Sequence, residues 1–158
     1  MFKYLMLSFL FISPMMAKTI HFSEAKYVDA LGKTFQKDGT ITFSKNSIQI
    51  DYADHTSLTY SGDFVISKKG NRSKKIDLKK NPAVKMFFLL FEAIYFDKQA
   101  IFKSYFDKQR KQGVVILDPD ENIKQYITAV RYKKTAKKLH FLEIFMANKD
   151  RIRIEESN

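Results

Sequence analysis

The stretch Asn81–Phe106, NPAVKMFFLLFEAIYFDKQAIFKSYF, concentrates more apolar bulk than any other part of the chain beyond residue 17. It reads as one helix followed by a shorter one. Asn81 suits an N-cap, and Pro82 suits the first helical position, where its missing N–H costs nothing. At about 100° per residue, Ala83, Phe87, Leu90, Phe91 and Ile94 share one face, and Val84, Phe88 and Tyr95 widen it. The remaining stripe holds Lys85 and Glu92, and even there Leu89 and Phe96 intrude. A helix this apolar must be covered on two sides, or it must wait for something apolar to cover it.

The first residues read as an export address. Lys3 supplies a positive n-region, Tyr4 to Ile12 an apolar run, Pro14 a break, and Ala17 a small residue for position −1 of a signal-peptidase site, although Met15 at −3 is larger than usual. The run is shorter than the roughly 20 apolar residues of a spanning helix. The expectation is a signal peptide at 1–17 and one soluble domain at 18–158, in the periplasm. Those 141 residues suit one domain with a real core. With no cysteine in the chain, a disulfide framework, a thiolate metal site and an N-terminal lipidated cysteine are all excluded. After cleavage, 27 Lys and Arg stand against 17 Asp and Glu, a net charge of +10 with His neutral. That charge favours anionic partners, and export favours a membrane surface or an acidic protein patch over nucleic acid. The cations cluster at Lys68, Lys69, Arg72, Lys74, Lys75, Lys79 and Lys80, and at Lys133, Lys134, Lys137 and Lys138. Each cluster alone reads as a solvated hairpin tip.

Period-two alternation dominates the rest. Ile20 to Val28 predicts a first strand, with a turn at Asp29 to Leu31 before Gly32. Ile41 and Phe43 share one face, Lys45 to Ser47 turn, and Ile48, Ile50 and Tyr52 alternate strictly. Leu58 and Tyr60 open another strand, Ser61 to Asp63 turn, Phe64 to Lys69 continue to Gly70 and Asn71, and Ile76 and Leu78 close this half. Beyond the helices, Tyr105 to Lys111 reads as a strand, turned by Gln112 and Gly113 into Val114 to Leu117. Asp118 to Asp120 predicts a turn in which Asp120 caps one helical turn through Ile123. Tyr126 to Tyr132, Leu139 to Met146 and Arg151 to Glu155 alternate as strands. Leu139 to Met146 is bulky on both faces and needs cover on both. One large antiparallel sheet curled around a helical insertion meets these demands.

The chain resembles the periplasmic lipoprotein carriers of the LolA type, and more closely the LolA-related proteins associated with export of other lipids. The resemblance spans about Ile20 to Ile154. It rests on Gly39-Thr40-Ile41-Thr42-Phe43, the Asn81-Pro82-Ala83 opening, the aromatic helix, Leu117-Asp118-Pro119, the run Asn122 to Tyr126 and a final hairpin from Met146 to Ile154. It implies a mainly β fold: an incomplete, strongly curved antiparallel β-barrel, LolA/LolB-like, with helices covering the concave face and an apolar cavity between. It further implies a monomeric carrier that takes acylated cargo, a lipoprotein or a lipid or glycolipid, from an inner-membrane donor transporter to an outer-membrane acceptor. Two departures favour lipid over lipoprotein. Here the strands begin at once, where those carriers begin with a helix; and Lys45 to Ile48 lacks the arginine that they place before the second strand to hold the lid.

On that fold, the expected cavity positions are Phe43, Ile50, Tyr52, Tyr60, Phe64, Ile66, Val130, Tyr132, Phe141 and Phe145 on strands. Phe87, Phe88, Leu90, Phe91, Ile94 and Tyr95 join them from the helix, with Lys68, Lys69, Arg72, Lys74 and Lys75 facing membrane or partner. Without the resemblance, the helical aromatics would read as ordinary core. An enzyme is a weak alternative: His21, His55 and His140 lie scattered without ligand spacing, Asp118 and Asp120 suit a turn, and no Gly-x-Ser-x-Gly or phosphate-binding glycine loop occurs. No cofactor is expected. A second alternative is a non-catalytic envelope adaptor that docks a protein through an exposed aromatic patch; it expects a filled core, where the carrier expects a cavity.

Overall fold

The alternating segments form strands and the apolar stretch forms helices. The computed structural model describes residues 17–136 and 138–157, so the expected signal peptide up to Met16 lies outside the described residues, as does Lys137. In chain order come β1 (Lys18–Val28), a 3₁₀ turn (Asp29–Leu31), β2 (Lys33–Ser44), β3 (Ser47–Tyr52), β4 (Thr56–Tyr60), β5 (Phe64–Lys69) and β6 (Arg72–Asp77). Helices α1 (Pro82–Tyr95) and α2 (Gln99–Tyr105) follow. The chain ends with β7 (Phe106–Lys111), β8 (Val114–Pro119), β9 (Ile127–Lys134), β10 (Leu139–Met146) and β11 (Arg151–Ser157).

All eleven strands join one antiparallel sheet in the order β6-β5-β4-β3-β2-β1-β11-β10-β9-β8-β7. The first and last strands therefore lie side by side, and two meandering arms run outward from them. The arms end at β6 and β7, which do not pair, so the barrel is incomplete. The helices are the connection between those two open edges, and they cover the concave face. This is the fold class that the sequence predicts.

Register explains which side chains reach that face. Ile20 pairs with Ile41, Ile41 with Ile50, Phe43 with Ile48, and Ile48 with Tyr60, which puts one apolar row inside. Tyr60 then pairs with Val65 across the intervening residues 61–64. An even-numbered loop exchanges odd for even. Val65 is accordingly 1% exposed, while Phe64 and Ile66, expected inside, lie on the convex face, where the Lys75 ammonium sits 3.6 Å from the Phe64 ring centre. In β10 an irregularity between Leu139 and Phe141 resets the register, so that Leu142 and Ile144 pair with Tyr132 and Val130 and point inward. Phe141 and Phe145, also expected inside, are thereby turned outward, against the guanidinium groups of Arg153 and Arg131. Those two arginines clasp the buried carboxylate of Glu143 at 2.9 and 2.7 Å. Both faces of β10 are covered, as its bulk demands, but the convex cover is cationic.

Most local signals hold, but Asp118 and Pro119, expected in a turn, continue β8 and pair with Asp107 and Phe106. Gly32 has φ 57°, the left-handed value that ends the 3₁₀ turn, and Asp120 Oδ1 accepts the N–H groups of Asn122 and Ile123. Asn81, expected to cap α1 with its side chain, instead donates from Nδ2 to the carbonyl of Asp77 at 2.7 Å and makes no cap bond. Its side chain fastens α1 to the end of β6.

Gly39 carries a specific load. It pairs with Phe22 on one side and Tyr52 on the other, and those rings meet edge-on across it, 5.7 Å between centres. A Cβ there would stand 2.3 Å from the Asp51 carbonyl oxygen and 3.0 Å from the Phe22 ring. Gly39→Ala is expected to cost about 1–3 kcal/mol, read as a fall of several degrees in Tm; an unchanged Tm would contradict this close approach.

Candidate functional site

Beneath α1 the concave face does not close fully. A pocket of about 310 Å³ opens between the sheet and the first turns of the helix. Ala83, Val84, Phe87 and Phe88 form its helical wall, and Leu58, Ile127, Ile144, Met146 and Ile152 its sheet wall. At one side stand Glu24, Lys26 and Tyr52. Tyr52 continues the row of Ile48 and Ile50 in β3, and in β1 the inward positions run Ile20, Phe22, Glu24, Lys26, so the face turns from apolar to charged along that strand.

The polar groups here are held in place. Tyr52 donates its hydroxyl to Glu24 Oε2 at 2.9 Å, and burial, followed by the Glu24 charge, raises its pKa well above the ordinary tyrosine value. Farther along the helix, the Phe43 and Tyr95 rings meet at a 32° tilt with 4.2 Å between centres, while Tyr60 lies parallel to Phe88 at 4.8 Å. Burial, with the charges of Glu92 and Asp63 behind it, pushes Tyr60 up to about 12. Tyr95 donates to Glu156 Oε2 at 3.4 Å, and the same oxygen accepts the N–H of Leu139 at 2.9 Å.

The far end of α1 is fastened by Lys134. Its ammonium donates to the carbonyl oxygens of Ile94 at 2.6 Å and Tyr95 at 3.5 Å, groups that a helix C-terminus leaves without intrahelical partners. Lys134 is therefore no solvated tip, unlike the exposed Lys133 beside it. Burial, then the nearby charge of Lys18, lowers its pKa.

Of the expected cavity residues, Tyr52, Phe87 and Phe88 line this pocket. Phe43, Ile50, Tyr60, Leu90, Phe91, Ile94, Val130 and Tyr132 are buried in the packed core beside it, and Tyr95 is half-buried at the helix end. Phe64, Ile66, Phe141 and Phe145 are on the other face. Glu24, Lys26, Leu58, Ile127, Ile144, Met146 and Ile152 escaped the sequence reading. Ile144, Met146 and Ile152 would have followed from the correct parity of β10 and β11, and Glu24 and Lys26 from continuing the row begun by Ile20 and Phe22. Lys68, Lys69, Arg72, Lys74 and Lys75 are exposed on the β5–β6 hairpin, with Lys69 3.3 Å from Asp54. Among the described residues no three His, Asp or Glu gather as a metal site.

No protein-family model matches the chain, and no curated protein matches it in sequence. Among solved structures it is similar to a LolA superfamily protein from Nitrosomonas europaea, with 9% identity over 92% of this chain and 86% of that one and a TM-score of 0.45. It is also similar to the lipoprotein LppX from Mycobacterium tuberculosis, with 14% identity over 88% and 84% of the two chains and a TM-score of 0.42. At that distance the likenesses carry nothing about cargo.

Removing the Lys134 ammonium leaves the last carbonyls of α1 without that partner. Lys134→Met is expected to cost about 1–2 kcal/mol and to speed amide exchange in the last turn of α1 while the strands keep their protection. Unchanged exchange there would show that the helix end is held by packing alone.

Proposed function

We propose that the protein is a non-catalytic periplasmic carrier, exported by a signal peptide cleaved near Ala17, that shields an acyl chain between its sheet and α1 during transfer from inner to outer membrane. The observation that supports this most is the apolar pocket at the sheet–helix junction. Each methylene buried there contributes about 0.8 kcal/mol, so a chain is held without special chemistry and passes on to any better apolar site. A docking adaptor would have filled the same layer. At about 310 Å³ the space lies at the lower end of the range of roughly 300–1,000 Å³ for ligand sites. That volume suits part of one chain better than several, in keeping with a lipid or glycolipid rather than a multiply acylated lipoprotein. Tyr52, Phe87 and Phe88 are its proposed contacts, and longer chains require α1 to lift. The exposed cations of the β5–β6 hairpin would meet the anionic surface of a membrane, or of a donor or acceptor protein.

Phe87 is the appropriate probe, because it lines the pocket while remaining half-buried, whereas Phe91 is fully buried and its loss would confound binding with folding. A carboxylate placed against the chain has no partner for its charge. Phe87→Asp, verified as folded by circular dichroism, is expected to lower affinity for a fluorescent fatty acid at least about tenfold. Undiminished uptake by the folded variant would place the chain elsewhere.

A further inference from the structure

The β1–β2 hairpin outruns β3. β11 accompanies β1 to Tyr27, one residue short of its end, but β3 meets β2 only from Gly39, with one more bond from the Ala53 N–H to the Asp38 carbonyl. Residues 33–37 thus have a strand on one side only. At the tip, Leu31 is 60% and Phe35 48% exposed. Among the described residues the only other large hydrophobic side chain so exposed is Phe96, whose ring meets Phe43 edge-on at 5.7 Å. Leu31 and Phe35 therefore share one protruding element, on which a lone leucine or phenylalanine would be unremarkable but a pair is not.

Charge surrounds this apolar tip. Lys26 and Lys33 are exposed, and among the described residues neither ammonium pairs with a carboxylate. The turn that follows β10 lies against the hairpin, because Asp150 Oδ1 accepts the Asp29 N–H at 2.9 Å; it adds Lys149 and Arg151 alongside the acids Asp29 and Asp150. Tyr27, half-buried, is the cross-strand partner of Arg151 and lines a shallow hollow with Lys149. Apolar side chains, an amphipathic aromatic and surplus cations on one projection match the interface of an anionic bilayer, which offers shallow hydrocarbon beneath phosphate. The tip also adjoins the pocket: Phe35 is the direct cross-strand partner of Lys26, which lines it.

We propose that the β1–β2 hairpin is a membrane-docking element that inserts Leu31 and Phe35 into the interface of an anionic bilayer and sets the Lys26 side of the pocket against the lipid. Its purpose rests on the carrier reading, but the docking is measured separately. The purified protein is mixed with vesicles of equal parts phosphatidylcholine and phosphatidylglycerol. The chain contains no tryptophan, so Phe35→Trp supplies a single reporter. Its emission is expected to shift to the blue on these vesicles, and the partition coefficient of Leu31→Ser/Phe35→Ser to fall about tenfold. The double variant should keep its Tm and its uptake of a fluorescent fatty acid in solution. An unshifted emission from vesicle-bound protein would overturn the proposal. So would a dimer that the double variant abolishes while vesicle binding persists, which would assign the tip to a second copy. Docking through the hairpin by a protein that takes up no fatty acid would sink the carrier reading and leave the docking intact.

Discussion

A curved sheet whose edges do not meet has an apolar concave face that must be covered, and everything distinctive about this protein follows from covering it with a single apolar helix. Because β6 and β7 are the two open edges and the helices connect them, the chain has to carry α1 across the opening. Met86, Phe88, Leu90, Phe91, Ala93 and Ile94 are buried on that passage. Phe88 belongs both to this core and to the pocket's helical wall, so emptying or filling the pocket acts on the fold's own packing layer.

Directional bonds supplement this apolar contact at both ends of α1. Asn81 reaches back to β6, and Lys134 reaches from β9 to the helix's final carbonyls. Such bonds break and re-form singly, unlike interdigitated packing. The asymmetry is physical: Phe43 packs against Phe91, Tyr95 and Phe96 and Tyr60 stacks on Phe88, whereas the pocket lies under the first turns, where the small side chains of Ala83 and Val84 leave space beside Phe87 and Phe88. The charged row Glu24 and Lys26 then marks where the concave face gives way to water.

Much of this was legible in the chain. Strict alternation in Ile48 to Tyr52, the turn residues at Asn46 and Gly32, and the apolar density of Phe87 to Tyr95 each point to one local structure, and the resemblance assembled them into the open barrel. The inward faces were less legible for a definite reason. A strand has two faces, and the choice between them passes through every turn that precedes it. One even-numbered loop after Tyr60 reversed β5, and one bulge near His140 reversed the outer half of β10. Phe141 and Phe145 misled because large aromatics usually mark the core, whereas here arginines held by Glu143 cover them from outside. Lys134 was hidden in a run of lysines, and only continuing the inward row of Val130 and Tyr132 separates it from its exposed neighbour Lys133.

The central claim, that the space beneath α1 holds an acyl chain, is tested most directly by native mass spectrometry with lipid extraction on protein purified from a cell-envelope fraction. The expected result is a discrete excess mass that extracts as a single acylated species. A clean apo mass, together with no uptake of fluorescent fatty-acid probes, would contradict it and make α1 ordinary core.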